Sequence, residues 1–271
     1  MKQSTQKRKA KERFKKATQL EKEYLRSLQK IVHQIDRLIK FTLNSGMPVV
    51  QAQAEIRKAL ESYSKQIGPW AENKARLIFR TISKFEEEEW MQLGRKLERN
   101  LKKEFNNSTI GTAVDLFMSE QVKLIQDIPL GAARRIQNLA ENAVITGERP
   151  ESLIEKIMHT GQVTRSRAQL IARTTIASTA TALTKIRSEH VGSTHYTWRT
   201  CGDGDVRESH KHMNGKVIAW SAEPEVEPGK FYHAGCFPNC RCWAAPILDQ
   251  IAWQTSSFRA GKDSADGIAV L

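Results

Sequence analysis

The sequence predicts a mostly α-helical protein, in which an elongated helical N-terminal region precedes a small α+β C-terminal domain with a short antiparallel sheet. Three observations predict it. Apolar residues recur at three- and four-residue steps through most of the first 190 positions, the period of helices that each bury one stripe. After Gly192 the pattern changes to short β-branched and aromatic runs set between polar, Gly-containing stretches, as strands and turns require. Hydrophobic residues make up 39% of the 271 and charged residues 27%, a balance that favours exposed helical surface.

The first helix spans residues 1–43, with Leu25, Leu28, Ile31, Val32, Ile35, Leu38 and Ile39 as its apolar stripe. "NSGMP" at 44–48 ends it, since Gly and Pro together interrupt a helix. Ile56, Leu60, Tyr63 and Ile67 form the next stripe, which stops at "GPW", residues 68–70. Leu77, Ile78, Ile82, Phe85, Leu93, Leu97 and Leu101 predict a long third helix through "EEEEW". "NNST" at 106–109 offers a break and a new N-cap. Val114, Phe117, Met118, Val122, Ile125 and Ile128 follow, and Pro129 suits the first turn of another helix. These helices constitute an extended region, 1–148, whose stripes are core or docking faces for partner subunits.

Residues 149–248 are expected to form the C-terminal domain. A short helix covers 150–159, "TGQVT" is a loop, and Thr164 caps a longer helix that ends at Gly192. "THYTWRT" at 194–200, "KVIAW" at 216–220 and "RCWAAPIL" at 241–248 read as strands, with a polar turn between the first two. Residues 249–271 read as a polar tail.

Charge narrows the function classes. Net charge is +13, and residues 1–40 carry 13 Lys and Arg against four acids. A surplus of this size favours polyanionic partners, through counterion release. Lys7, Arg8, Lys9, Lys11, Arg13, Lys15 and Lys16 are the candidate phosphate contacts. No module that reads base sequence is recognisable, so contact with DNA is expected to be non-specific. No apolar run approaches the ~20 residues of a membrane span, and the basic N-terminus lacks the apolar stretch of a secretory signal, so a cytoplasmic protein without membrane contact is expected.

The chemistry concentrates in four cysteines and their histidines. Cys201 opens "CGDGDVRESHKHMNG", and Cys236, Cys240 and Cys242 lie in "YHAGCFPNCRCWAAP". Such a cluster in a reducing compartment is a metal site, a set of packed thiols or, against the compartment, a disulfide. Structural zinc takes four Cys and His ligands, and Cys201, His210, Cys236, Cys240 and Cys242 are the candidates. No pair has Cys-x-x-Cys spacing, and an extended chain would have to pinch Cys240 and Cys242 together to share an ion. The packed alternative sets His210 across the sheet from two buried thiols. His and Asn in "SHKHMNGK", residues 209–216, also allow a metal-dependent His–Asn–His nuclease, although no following helix supplies a further histidine. Asp203, Asp205 and Arg207 read as a local ion-pair and turn network.

Taken together, "RSRAQLIARTTIASTATALTKIRSEHVG", "WRTCGDGDVRESHKHMNGKVIAW" and "PNCRCWAAPIL" resemble the C-terminal domain of phage Mu F-like minor head proteins, the head morphogenesis family. The elements that carry the resemblance are an ARTE-type tetrad at 172–175 with Arg173, then Trp198, Asp205, Arg207, His210 and Gly215, and a closing Asn239, Cys240, Arg241 and Cys242. It covers roughly 150–248. Thr175 stands where the family often has Glu, and Cys201 and Cys236 lie outside its pattern. The resemblance implies a non-enzymatic virion component near the portal vertex, with portal or major capsid protein as partner and packaged phage DNA as a non-specific contact. No small-molecule substrate is expected, and the Cys and His cluster allows at most one structural zinc as cofactor.

Overall fold

A computed structural model describes residues 2–96 and 109–248. The described residues divide into two compact units, one within Met1–Thr81 and Ala113–Ile176, the other within Ile82–Thr112 and Ala177–Leu271. The fold is mostly helical, with a small antiparallel sheet near the C-terminal end, as the residue patterns predict. The helices are α1 (Lys2–Leu43), α2 (Val49–Gln66), α3 (Gly68–Lys96), α4 (Thr109–Thr146), α5 (Pro150–Met158) and α6 (Thr160–His190). Then follow β1 (His195–Arg199), α7 (Glu208–Met213), β2 (Val217–Ala219), β3 (Glu225–Glu227), β4 (Lys230–Phe231) and β5 (Trp243–Pro246). Leu97, Leu101, the 106–108 break and the 249–271 tail lie outside the described residues. Gly147, at φ +65°, lies in the turn between α4 and α5, and α3, α4 and α6 each contribute residues to both compact units.

In the first unit the predicted stripes are buried. Leu28, Ile31, Val32, Ile35 and Ile39 of α1 are core residues, with Tyr24 beside them, and so are Ile56 and Leu60 of α2. Leu77 of α3 is instead exposed. Ser64 and Gln126 exchange hydrogen bonds, Ser64 Oγ to the Gln126 carbonyl at 2.9 Å and Gln126 Nε2 to the Ser64 carbonyl at 3.2 Å. That exchange joins α2 to α4.

Two expectations about helix ends are corrected. Pro129 does not start a helix but lies inside α4. An interior proline costs about 3 kcal/mol, and burial of Ile125, Ile128, Ala132, Ala133 and Ile136 on both sides of it offsets that. Thr164 is not an N-cap and "TGQVT" is not a loop: α6 begins at Thr160, and the buried Thr164 hydroxyl donates back to the Thr160 carbonyl at 2.7 Å. Gly161 makes this early start workable. A Cβ there would overlap the Asp36 carboxylate of α1, which accepts from Arg165 Nη2 at 3.1 Å. Gly161→Ala is therefore expected to lower stability by ~1–3 kcal/mol through overpacking. Gly131→Ala in α4, whose Cβ would meet only the Arg134 side chain at 3.8 Å, should raise it by ~0.5–1 kcal/mol. Thermal unfolding of the two variants reads the opposite signs directly.

The second unit holds the sheet, in the order β2-β1-β5, antiparallel throughout. Tyr196 pairs with Ile218 and Pro246, and Trp198 with Ala244. Because side chains alternate along a strand, Tyr196 and Trp198 enter the core together. They join Met213, Trp220, Val226, Phe237, Cys240, Cys242 and Ala244. The stretch between β1 and β2 is not only a polar turn: it contains α7, with His210 and Met213 buried and His212 exposed. The β3–β4 hairpin is a second element that residue spacing did not predict. From α6, Thr181 Oγ1 donates to the Ala234 carbonyl at 2.5 Å, and Thr184 Oγ1 donates to the buried Glu86 of α3 at 3.0 Å.

Candidate metal centre

Two segments of the second unit converge on one buried point. α7 brings His210, and the segment between β4 and β5 brings Cys240 and Cys242. Asn239 has φ +64°, a left-handed conformation that Asn tolerates better than most residues. This turn removes the pinching that an extended chain would need, and both sulfurs come to the same imidazole. Cys240 Sγ is 3.3 Å from His210 Nδ1 and Cys242 Sγ 3.5 Å, while the Cys242 amide donates to Cys240 Sγ at 3.3 Å. All three side chains are buried, and their ligand atoms lie within 4.8 Å of one another. Trp198 and Phe237 stand edge-on to the imidazole, with centroids 5.7 and 5.3 Å away. They fix its plane and exclude water. The other ring nitrogen, Nε2, is buried with no hydrogen-bond partner among the described residues.

The hydrogen bond from Cys242 holds Cys240 well below the usual thiol range, against its burial, and His210 assists. The same contact and its own burial push Cys242 up. A soft cation binds cysteine as thiolate, so binding here would displace the protons that the two sulfurs carry. Geometry fits such a cation. With Zn–S near 2.3 Å and Zn–N near 2.0–2.1 Å, a tetrahedral centre sets N and S about 3.5 Å apart, close to both sulfur–nitrogen distances here.

Cys201 and Cys236 are not in this group. Cys201, half-buried, donates to Asp203 Oδ1 at 3.3 Å, and burial raises its pKa. Burial pushes the Cys236 thiol up to about 12. All four cysteines are free. The ion-pair network also differs from the expected one. Arg241, not Arg207, bonds Asp203 at 2.9 Å and Asp205 at 3.2 Å, tying the closing segment to the loop after β1. Arg207 donates to the Pro238 carbonyl at 3.1 Å and stacks over Phe237 at 4.8 Å. Gly215, at φ +88°, donates to the Trp198 carbonyl at 2.8 Å. Trp198, Asp205, Arg207, Gly215, Asn239 and Arg241 thus surround the Cys240–Cys242–His210 group as its scaffold.

The remaining predicted residues belong to the first unit. Arg173 Nε donates to Glu21 of α1 at 2.9 Å, and the buried Thr175 hydroxyl donates to Gln121 of α4 at 2.9 Å. Glu21 and Gln121 carry no local signal in the sequence and are found only by their partners. On α1, Arg8, Lys11, Lys15 and Lys16 are exposed and Arg13 is half-buried, whereas the side chains of Lys7 and Lys9 lie outside the described residues.

A second histidine responds to pH. His233 Nδ1 faces the buried Tyr196 hydroxyl at 3.2 Å, and burial, with Lys185 nearby, lowers its pKa. The unfolded chain therefore binds more protons than the folded one as pH falls through the ordinary histidine range near 6.5, and stability falls with it. Denaturant midpoints measured between pH 7.5 and 5 should decline, and His233→Gln should flatten the decline.

Residues 134–245 match the family model described as "Phage Mu protein F like protein". An uncharacterized protein of Haemophilus influenzae (strain Rd KW20) is 33% identical over 144 residues, covering 53% of this chain and 31% of that relative. The chain thus spans about a third of that relative's length. No solved structure matches significantly.

Proposed function

We propose, from the match of residues 134–245 to the phage Mu F-like family model, that this chain belongs to that bacteriophage head morphogenesis family and is a structural minor head protein. It acts in capsid assembly near the portal of a tailed phage or prophage, built in the host cytoplasm and retained in the virion. The family match is the observation that supports this reading most. The second unit serves as a docking module for portal or major capsid protein, and one structural zinc on His210, Cys240 and Cys242 locks its closing segment to α7. These three residues would hold the ion, which would need one further ligand for the usual four-coordinate structural site. No helix among the described residues is long and apolar enough to cross a membrane.

A structural role agrees with the burial of the cluster. His210 is 2% exposed and faces two sulfurs, so it cannot approach a phosphodiester. α7 carries His210 into the core and leaves His212 exposed, and the element that follows is strand β2. Incubation with DNA and Mg²⁺ or Mn²⁺ is expected to give no cleavage, and His210→Ala no change. The exposed cations of α1 favour one addition to this reading, non-specific contact with packaged DNA, with affinity that falls steeply from low to physiological salt.

The role is tested by co-expressing the chain with the portal and major capsid proteins of the same phage. Co-purification with either, lost when Arg241→Glu loosens the closing segment, supports the reading. Retention by neither contradicts it.

A further inference from the structure

The first unit holds a pocket lined by none of the residues of the candidate metal centre. Between α4 and the start of α6 lies a cavity of about 490 Å³, rimmed by Asp127, Arg134, Arg135, Asn138, Asn142 and Arg167. That size is within the ~300–1,000 Å³ of small-ligand sites. Arg135, Asn138 and Asn142 recur at three- and four-residue steps along α4, so they share a face and form a row of donors about 10 Å long. Asp127 accepts from both Arg134 and Arg167, the latter at 3.1 Å, and pins the two guanidinium groups at the rim. Three guanidinium groups against one carboxylate leave the rim two positive charges in surplus. The Nε of Arg135 is buried there without a hydrogen-bond partner among the described residues, a donor still lacking its acceptor.

We propose that this pocket binds a phosphate-bearing ligand. Planar guanidinium forks match the paired oxygens of a phosphate, where lysines would offer only point charges, and the two carboxamides supply neutral donors along the same groove. The ligand bridges Arg135 to Arg167, and Asp127 restrains it by competing for Arg134 and Arg167. A free nucleotide and the phosphodiester backbone of a nucleic acid share this chemistry.

The test uses the full chain with Arg8, Lys11, Lys15 and Lys16 replaced by Gln, so that α1 does not contribute and the outcome is independent of its DNA contact. Fluorescence polarization then measures a labelled nucleoside triphosphate and, separately, a labelled 12-nucleotide DNA strand, each with inorganic phosphate as competitor. Arg135→Gln and the more exposed Arg167→Gln are expected to weaken binding at least tenfold. Asp127→Asn is expected to tighten it several-fold, a gain that misfolding cannot mimic. A response of the triphosphate alone assigns a free phosphate ester, and a response of the DNA strand assigns a nucleic-acid backbone. Absence of binding at millimolar probe, affinities unchanged across the variants, loss without the Asp127→Asn gain, or equal displacement by polyglutamate overturns the proposal.

Discussion

Cys240→Ser should lower the melting temperature by ~10 °C or more, whereas Cys201→Ser should shift it by only a few degrees. Cys240 is the buried sulfur to which the Cys242 amide donates and which lies 3.3 Å from His210 Nδ1. Serine keeps the volume but is a poor ligand for a soft cation, and its hydroxyl ionises far less readily. The substitution removes a ligand from a site whose occupancy is itself folding free energy, a loss of at least ~3 kcal/mol, equivalent to ~10 °C in a chain of this size. Cys201 has only Asp203 to lose. Calorimetry of both variants checks the contrast, and equal shifts would place the stabilising role outside the cluster.

The second large effect concerns a residue with no chemistry of its own. Gly235 has φ +86°, and a Cβ there would lie 2.9 Å from the Cys242 carbonyl and 3.0 Å from both the Ala177 carbonyl and Thr181 Oγ1. Two of these neighbours are backbone and cannot swing away. Alanine would bear the left-handed strain, ~1–2 kcal/mol, and the overpacking, ~1–3 kcal/mol, together ~2–5 kcal/mol. Gly202→Ala is the matched control, since Gly202 has φ +73° but open space around it, so only the strain should appear. Urea denaturation of the two variants separates strain from crowding.

Periodic burial made much of the fold readable from sequence. The α1 stripe and the Tyr196–Trp198 alternation are local patterns that the core simply adopts. What escaped notice was short or long-range. α7 has six residues with no side-chain cap, and β3 and β4 have three and two, too few to show a period. Pro129 lies within a helix because burial on both sides outweighs a local rule. At the candidate centre, His210, Cys240 and Cys242 were among the candidate ligands because of their residue types. Their selection over Cys201 and Cys236 depends on the left-handed turn at Asn239, which spacing does not encode. The Arg241 fork on Asp203 and Asp205, like the arginine-lined pocket between α4 and α6, exists only once distant segments meet.

Metal content tests the central claim most directly, namely that a structural ion on Cys240, Cys242 and His210 fixes the closing segment of the second unit. Purified full-length chain should contain one zinc per molecule by elemental analysis, and chelator should remove it with a fall in melting temperature. His210→Ala should retain none. Metal-free protein that melts at the same temperature with or without chelator would contradict the account, leaving His210 and the two thiols as packed core.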